Sequence, residues 1–257
     1  MKQQVQKLYI ILTRKNKKIN YNNLKKIDTI ILAGGLGTRL KSIMGSLPKC
    51  LALINDKPFI DNLIDNCIEN GLRRFIISVG YEKEKVIEHL KTKTECEIIF
   101  SEEDKPLGTG GAIKNAKKYI KSDHLLIMNG DSFISLDFNS FYNYHLNKKA
   151  LITIVGASSQ KNTDYGSLIF DKNFNVTEFL EKQKNTKSNY INAGVYFFDT
   201  KVFDLFPREN RFSIEKDFLT KFPKEDFFIF RSDKRLYDIG TPERYKIFQD
   251  FIKTQGE

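Results

Sequence analysis

The chain has 257 residues and a formal charge of +10, and a chain of this length can bury a full-sized core within one large domain. Its three cysteines, at positions 50, 67 and 96, are too widely spaced for a disulfide framework or a zinc site. The apolar run at residues 8–12 is too short for a signal peptide or a membrane span. These features argue against a secreted disulfide scaffold and a membrane protein, and predict a soluble cytoplasmic protein.

The positive charge is concentrated at the N-terminus. Residues 1–26 contain eight Lys and Arg residues and no acidic residue, which leaves a formal charge of +2 for the rest of the chain. We interpret residues 1–26 as a basic arm and residues 27–257 as a single domain, because no low-complexity linker or internal repeat divides the latter. We expect the arm to be solvated or to dock on a neighbour rather than to bind nucleic acid or a membrane, since aromatic residues are sparse in it.

Strand-like and helix-like patterns alternate through the first half of the chain. Predicted strands lie at residues 28–33, 75–79, 97–100 and 125–128, and predicted helices at residues 58–70, 82–90 and 112–120. Strands joined by helices at this spacing predict right-handed β-α-β units and a largely parallel sheet.

The second half has shorter connections between its strand-like runs, which lie at residues 151–155, 167–170 and 195–198. This pattern predicts antiparallel or mixed strands added to the same sheet, and a smaller lobe. A terminal helix is expected after Thr241, because Pro242 is tolerated at the first position of a helix. The predicted fold is therefore an α/β fold with a mixed, mostly parallel central sheet flanked by helices.

An apolar strand opens into a glycine-rich loop over residues 30–40. The dinucleotide-binding motif G-x-G-x-x-G would need glycine where Leu40 stands, and the P-loop motif has no match here. The loop nevertheless suits a polyphosphate, because glycines let main-chain N–H groups approach an anion closely and nearby cations hold it. The predicted phosphate-binding groups are Gly34, Gly35, Gly37 and Thr38 in the loop, and the cations Arg39 and Lys49.

These motifs resemble those of the sugar-1-phosphate nucleotidylyltransferases. The family signature, G-G-x-G-T-R-L followed by P-K, is met at residues 34–40 and 48–49, and further family segments follow in order at residues 106–112, 129–131, 181–182, 192–196 and 238–242. The resemblance covers residues 28–250 and implies a Rossmann-like nucleotidyltransferase fold. It also implies a reaction in which a sugar 1-phosphate oxygen attacks the α-phosphorus of a nucleoside triphosphate and releases pyrophosphate.

The resemblance implies a role for each matching residue. Arg39, Lys49 and Asp131 are expected to be catalytic, and Asp131 and Asp238 are expected to hold Mg²⁺, since two carboxylates from distant segments suit an ion that bridges phosphates. The expected nucleotide-binding residues are Leu32, Ala33, Gly34, Gly35, Gly37, Thr38, Glu103 and Gly108. The expected sugar-phosphate-binding residues are Gly166, Glu181, Lys182 and Asn192.

Glu103 bears on the choice of nucleotide. Thymidylyl and uridylyl members of the family commonly carry Gln at the position that we align with Glu103. A carboxylate only accepts hydrogen bonds, and guanine offers two adjacent donors, N1–H and the 2-amino group. We therefore expect the nucleotide to be GTP.

The sugar is indicated by resemblance alone. The chain looks most like bacterial D-glycero-D-manno-heptose 1-phosphate guanylyltransferases, which supply nucleotide-sugars for capsule and other surface polysaccharides. Two alternatives stay open: a transferase that uses mannose 1-phosphate or an amino-sugar 1-phosphate, and a non-catalytic regulatory relative that binds a nucleotide-sugar. A homo-oligomer is compatible with the sequence.

Overall fold

The computed structural model describes residues 24–35, 37–40, 44–158, 164–181 and 188–255. Most of the predicted basic arm, residues 1–23, lies outside the described residues. Leu24, near the end of the arm, is fully buried in the hydrophobic core. Among the described helices, none is both long enough and apolar enough to cross a bilayer.

The described residues form thirteen strands and five α-helices. The strands are β1 (Asp28–Leu32), β2 (Leu53–Ile54), β3 (Lys57–Pro58), β4 (Arg74–Val79), β5 (Glu97–Glu102), β6 (His124–Asn129), β7 (Ser132–Phe133), β8 (Ile152–Ser158), β9 (Ser167–Phe170), β10 (Val176–Leu180), β11 (Tyr190–Asp199), β12 (Phe227–Ser232) and β13 (Tyr237–Asp238). The helices are α1 (Phe59–Glu69), α2 (Lys83–Leu90), α3 (Gly108–Ala116), α4 (Phe138–Lys148) and α5 (Pro242–Gln255).

Nine of these strands form one mixed sheet. Strands β5, β4, β1 and β6 lie side by side and are all parallel. The long strand β11 joins the second half to them, because it runs antiparallel to β6 and also pairs with β8 and β9. Strand β12 extends this part by pairing with β8 in parallel. The predicted mixed sheet with flanking helices is confirmed.

The core lies on both faces of the parallel strands. All six residues of β4 are buried, as expected of a parallel strand that has helices on both faces. Neighbouring residues in β1 point to opposite faces, so Ile31 belongs to the hydrophobic cluster around α1 whereas Ile30 packs in the cluster around α3. The central strands are thereby fixed between two apolar layers.

Helix α3 differs from the prediction, since it begins at Gly108 and not at residue 112. Its first turn is stabilised from outside: the N–H groups of Gly110 and Gly111 both donate to the main-chain oxygen of Phe212, at 3.0 and 3.2 Å. Sequence patterns within residues 108–111 could not reveal this partner. Helix α4 was also not predicted, although Asp137 caps it by accepting hydrogen bonds from the N–H groups of Asn139 and Ser140.

The carboxyl ends of β1, β4 and β6 meet at one edge of the sheet. Close main-chain contacts hold the loops there: the N–H of Ala33 donates to Ser78 O at 2.9 Å, and the N–H of Gly130 donates to Leu32 O at 3.0 Å. A Cβ at position 130 would lie 2.6 Å from the same Leu32 oxygen, so glycine is required there. Ligands of open α/β sheets bind at this edge.

Candidate active site

Two cavities open side by side at the carboxyl edge of the sheet. One has a volume of about 550 Å³ and the other about 690 Å³. Thr109, Asn129 and Asp131 line both cavities and so form their boundary. The arrangement suits two ligands that meet at Asp131.

The smaller cavity contains five of the predicted nucleotide-binding residues. Leu32, Gly34, Gly35, Glu103 and Gly108 all line it. Two of the other predicted residues, Ala33 and Gly37, are not among its lining residues. Ala33 is buried behind the loop, Gly37 packs on Lys49 with a φ of 58°, and the side chain of Thr38 lies outside the described part of the chain.

Glu103 is held in a fixed position within the smaller cavity. Its Oε2 accepts a hydrogen bond of 3.0 Å from the N–H of Leu107. Burial raises the pKa of the Glu103 carboxyl, and the hydrogen bond from Leu107 opposes this shift. The site therefore presents a partly desolvated acceptor to whatever occupies the cavity.

The larger cavity brings together residues that are far apart in the sequence. Its lining includes Arg39, Lys49, Asp131, Gly166, Glu181, Asn192 and Asp238, all of which were predicted as catalytic, metal-binding or sugar-phosphate-binding residues. Lys182 lies outside the described residues.

Lys49 and Asp131 form an ion pair at the boundary of the two cavities. The distance from Lys49 Nζ to Asp131 Oδ2 is 2.6 Å. The Asp131 side chain is 43% exposed, whereas that of Lys49 is 14% exposed. Asp131 is therefore accessible to a ligand from either cavity.

Asp238 reaches the same place through the short pairing of β13 with β7. In this pairing Asp238 lies opposite Ser132, and the N–H of Ile239 donates to Asp131 O at 3.0 Å. The Asp238 carboxylate is nearly buried and accepts hydrogen bonds from Gly240 N–H, at 2.7 Å, and from the Tyr165 hydroxyl. Burial raises its pKa, and the negative charge of Asp131 adds to this rise.

The carboxylate pair fits a divalent metal that binds together with a phosphate. No group of three or more His, Cys, Asp or Glu side chains suited to a metal is found in the described ranges. Mg²⁺ is commonly held by one or two carboxylates plus substrate phosphates and water. Burial is the main cause of the raised pKa of Asp238, and the charge of Asp131 adds to it, so a bound cation would stabilise the ionised form of this carboxyl.

Several residues of the larger cavity were missed from the sequence. Arg244 of α5 pairs with Asp164, lies 3.5 Å from the Asp238 carboxylate and stacks over the Tyr165 ring at 5.1 Å. Tyr165 stands beside the predicted Gly166 and could have been found from that neighbour. No feature of the sequence marks Arg244 as a site residue, because it belongs to an ordinary amphipathic helix. Glu215 was also missed, since nothing in its local sequence suggests a site.

Comparison with known proteins identifies the class. The family model for nucleotidyl transferases matches residues 28–255, so the chain belongs to the nucleotidyl transferase family. The chain is similar to D-glycero-alpha-D-manno-heptose 1-phosphate guanylyltransferase from Aneurinibacillus thermoaerophilus, with 35% identity over 86% of this chain and 96% of the relative. The enzyme of the same name from Campylobacter jejuni is 34% identical over 86% of this chain and 98% of the relative.

A solved structure is similar along nearly the same length. The crystal structure of HddC from Yersinia pseudotuberculosis has a TM-score of 0.79 and 36% identity, covering 88% of this chain and 99% of that one. HddC complexed with GMP-PN gives a TM-score of 0.78. These matches confirm the resemblance that the sequence motifs indicated, and with it a nucleotidyltransferase enzyme.

Proposed function

We propose that the protein transfers GMP from GTP to D-glycero-D-manno-heptose 1-phosphate, releasing pyrophosphate and forming a nucleotide-sugar. The observation that carries this proposal is the pair of adjoining cavities that meet at Asp131, one with the glycine loop and the other with polar side chains. The names of the similar proteins support both substrates.

The chemistry requires positioning more than a reactive side chain. A sugar 1-phosphate, whose second pKa is about 6, is mostly dianionic at neutral pH and is a nucleophile without a general base. Its oxygen forms a bond to the α-phosphorus while the bond from that phosphorus to the bridging oxygen of pyrophosphate breaks. Two anions must be held in line for this step. A site made of glycines, cations and carboxylates suits this task.

We assign the cations to charge neutralisation. Lys49, at the boundary of the cavities, would contact the α-phosphate, and the more exposed Arg39 would hold the triphosphate and its leaving pyrophosphate. Main-chain N–H groups of Gly34 and Gly35 would approach the phosphates from the smaller cavity.

Asp131 and Asp238 would hold Mg²⁺. When bound, the ion neutralises phosphate charge and helps to orient the reacting groups. Asp131 is the more accessible of the two ligands, whereas the hydrogen bonds from Gly240 and Tyr165 fix the direction of the Asp238 carboxylate.

The two substrates are assigned by the chemistry of their cavities. Glu103 would accept hydrogen bonds from guanine N1–H and the 2-amino group. Gly166, Glu181, Lys182 and Asn192 would bind the sugar 1-phosphate. Asn192 is preorganised for this role, because its Nδ2 donates to the Tyr196 hydroxyl at 2.7 Å and its Oδ1 accepts from Gly194 N–H at 2.8 Å. The product would serve capsule or other surface polysaccharide synthesis from the cytoplasm.

A pyrophosphate-release panel tests the proposal. GTP, ATP, UTP, CTP and dTTP are each combined with heptose, mannose, glucose and glucosamine 1-phosphates in the presence of Mg²⁺. We expect the highest kcat/KM for GTP with the heptose. Turnover with UTP or dTTP and none with GTP would overturn the nucleotide assignment, and a preference for mannose or glucosamine 1-phosphate would replace the sugar.

A further inference from the structure

A segment from the second half of the chain packs tightly on the start of α3. We call this segment, residues 207–217, the strap. The ammonium of Lys114 donates to three successive strap carbonyls, those of Pro207, Arg208 and Glu209, at 2.9, 2.9 and 3.1 Å. The oxygen of Phe212 accepts two further hydrogen bonds from the first turn of α3. The strap is thus fixed to α3 along much of its length.

The glycines of α3 are explained by this packing. A Cβ at Gly108 would lie 2.6 Å from the Phe212 oxygen, and one at Gly110 would lie 2.1 Å from the Phe212 ring. A Cβ at Gly111 would lie 2.2 Å from the oxygen of Asn210. All three distances are below what real Cβ atoms show, so the strap requires glycine at these positions.

The last residues of the strap lie in a single π-helical turn, Ile214–Phe218, which carries Glu215. One oxygen of Glu215 is fully engaged: Oε2 accepts hydrogen bonds from the Thr109 hydroxyl at 2.7 Å and the Ser213 hydroxyl at 2.8 Å. Thr109 in turn accepts a hydrogen bond from Ile214 N–H at 2.9 Å. These bonds fix the direction of the carboxylate, and no residue in the described part of the chain donates a hydrogen bond to Oε1.

Glu215 lines the larger cavity together with Glu181 and Asn192. Its position on the sugar side is supported by Tyr196, the buried phenol that accepts the Asn192 hydrogen bond. The pKa of Tyr196 is raised by burial and also by the negative charges of Glu215 and Glu181. The two carboxylates line the same cavity as Asn192, which donates to this phenol. Carboxylates repel phosphate groups, so the neutral part of the ligand should lie next to Glu215 and Glu181.

We propose that Glu215 binds a sugar hydroxyl through Oε1 and makes the site selective for neutral, polyhydroxylated sugar 1-phosphates. This inference rests on the proposed function. A carboxylate that accepts from a hydroxyl makes a strong, charge-assisted hydrogen bond. The same carboxylate repels a sugar that carries its own carboxylate, such as a uronic acid 1-phosphate. The strap thus couples the nucleotide-side helix to recognition of the sugar.

The variant Glu215→Gln separates two roles of Glu215, which are binding the sugar and holding the strap on α3 through hydrogen bonds. Its amide oxygen can still accept from Thr109 and Ser213, but its NH₂ group cannot accept from a sugar hydroxyl. Glu225→Gln, at an exposed position outside both cavities, is the matched control. For each protein the KM values for GTP and heptose 1-phosphate, the kcat/KM for glucuronic acid 1-phosphate and the Tm are measured.

We expect Glu215→Gln to raise the KM for heptose 1-phosphate about tenfold or more, the size of a lost hydrogen bond to a charged group. The KM for GTP and the Tm should stay at wild-type values, and discrimination against glucuronic acid 1-phosphate should weaken. The Glu225→Gln control should match the wild type in all four measurements.

Three other results would overturn the inference. An unchanged KM for the sugar 1-phosphate contradicts it directly. An equal rise in both KM values, or a lower Tm with an unaltered sugar preference, would mean that Glu215 only braces the strap. Failure of the proposed function is distinguishable, because in that case the wild-type protein itself would use another sugar 1-phosphate or none. If it uses another neutral sugar, the same comparison is made with that sugar.

Discussion

Lys49 Nζ lies 2.6 Å from Asp131 Oδ2, and this ion pair stands at the boundary between the two cavities. A bound triphosphate and its cation would compete for both partners, since the ammonium suits a phosphate oxygen and the carboxylate suits a metal. The pair therefore keeps both groups at the point where the two cavities meet.

Replacing Lys49 by methionine is expected to lower kcat by about 100-fold or more, the usual loss when one charge-stabilising donor is removed. Methionine keeps much of the length of the side chain, so packing is largely preserved. Steady-state pyrophosphate release at saturating substrates gives kcat directly. Lys57→Met, which breaks an exposed ion pair with Asp65, is the control and should retain wild-type kcat. A Lys49→Met enzyme with near-normal kcat would contradict the assignment.

Replacing Glu103 by glutamine is expected to shift the choice of nucleotide. The kcat/KM for GTP should fall about tenfold or more, because a hydrogen bond from guanine to a charged acceptor is lost, and that for UTP or dTTP should rise. The neighbouring Glu102→Gln, whose side chain is 51% exposed and pairs with Lys83, should keep the wild-type preference. If Glu102→Gln shifts the preference instead, the alignment of the base-reading position is wrong by one residue.

The buried His145 should make stability depend on pH. Burial lowers the pKa of His145 to about 3, with His124 lowering it further and Asp199 opposing. Its ring nitrogens contact His124 at 3.2 Å and the Thr153 hydroxyl at 2.8 Å. Below a pH of about 6.5 the histidine binds a proton in the unfolded chain but not in the folded protein. The stability contributed by the neutral His145 is therefore fully present above that pH and is lost as the pH falls below it.

The free energy of unfolding should therefore fall by about 1.4 kcal/mol per pH unit between pH 6 and 4 from this residue alone. Urea titrations at several pH values measure it. His145→Gln removes the titrating group while keeping polar contacts, and its stability should depend less on pH over this range. An identical pH dependence in the two proteins would show that His145 does not contribute.

Gly110→Ala should destabilise the protein by about 1–3 kcal/mol, the usual range for overpacking. The added Cβ would lie 2.1 Å from the ring of Phe212 and must displace it. Gly35→Ala is the stability control, since a Cβ there meets no described atom within 4 Å. Thermal unfolding of both variants measures the difference. Equal Tm values would mean that the strap moves aside without loss.

Local patterns in the sequence were sufficient for the parallel part of the sheet, and most of the residues that they marked as site candidates line the two cavities. Alternating strands and helices follow from hydrophobic periodicity, and the glycine loop, Lys49, Asp131 and Asp238 stand in recognisable motifs. Long-range contacts were not accessible in this way. Glu215 and Arg244 enter the site because the strap and α5 pack against distant elements, and no local feature of their segments records that packing.

The histidines show the same limit. The sequence places His89, His124 and His145 near the ends of elements, which predicts that all three are structural or surface residues without carboxylate or cysteine partners. For His89 this is wrong in one respect, because its Nε2 lies 2.7 Å from a carboxylate oxygen of Asp61, which is 28 positions away in the chain. His145 is structural, as expected, but its complete burial beside His124 depends on the packing of α4 against β8 and β11.

The pairing of the strap with α3 also affects how the protein is made. The ribosome releases the glycine loop and α3 early, yet the partner of Thr109 is Glu215, 106 residues further along. Asp238 follows later still. A nascent chain that exposes the loop and α3 but not the strap lacks the partners of the first turn of α3. We therefore expect it to hold a nucleotide in a reactive arrangement only after the strap and Asp238 have also left the ribosome.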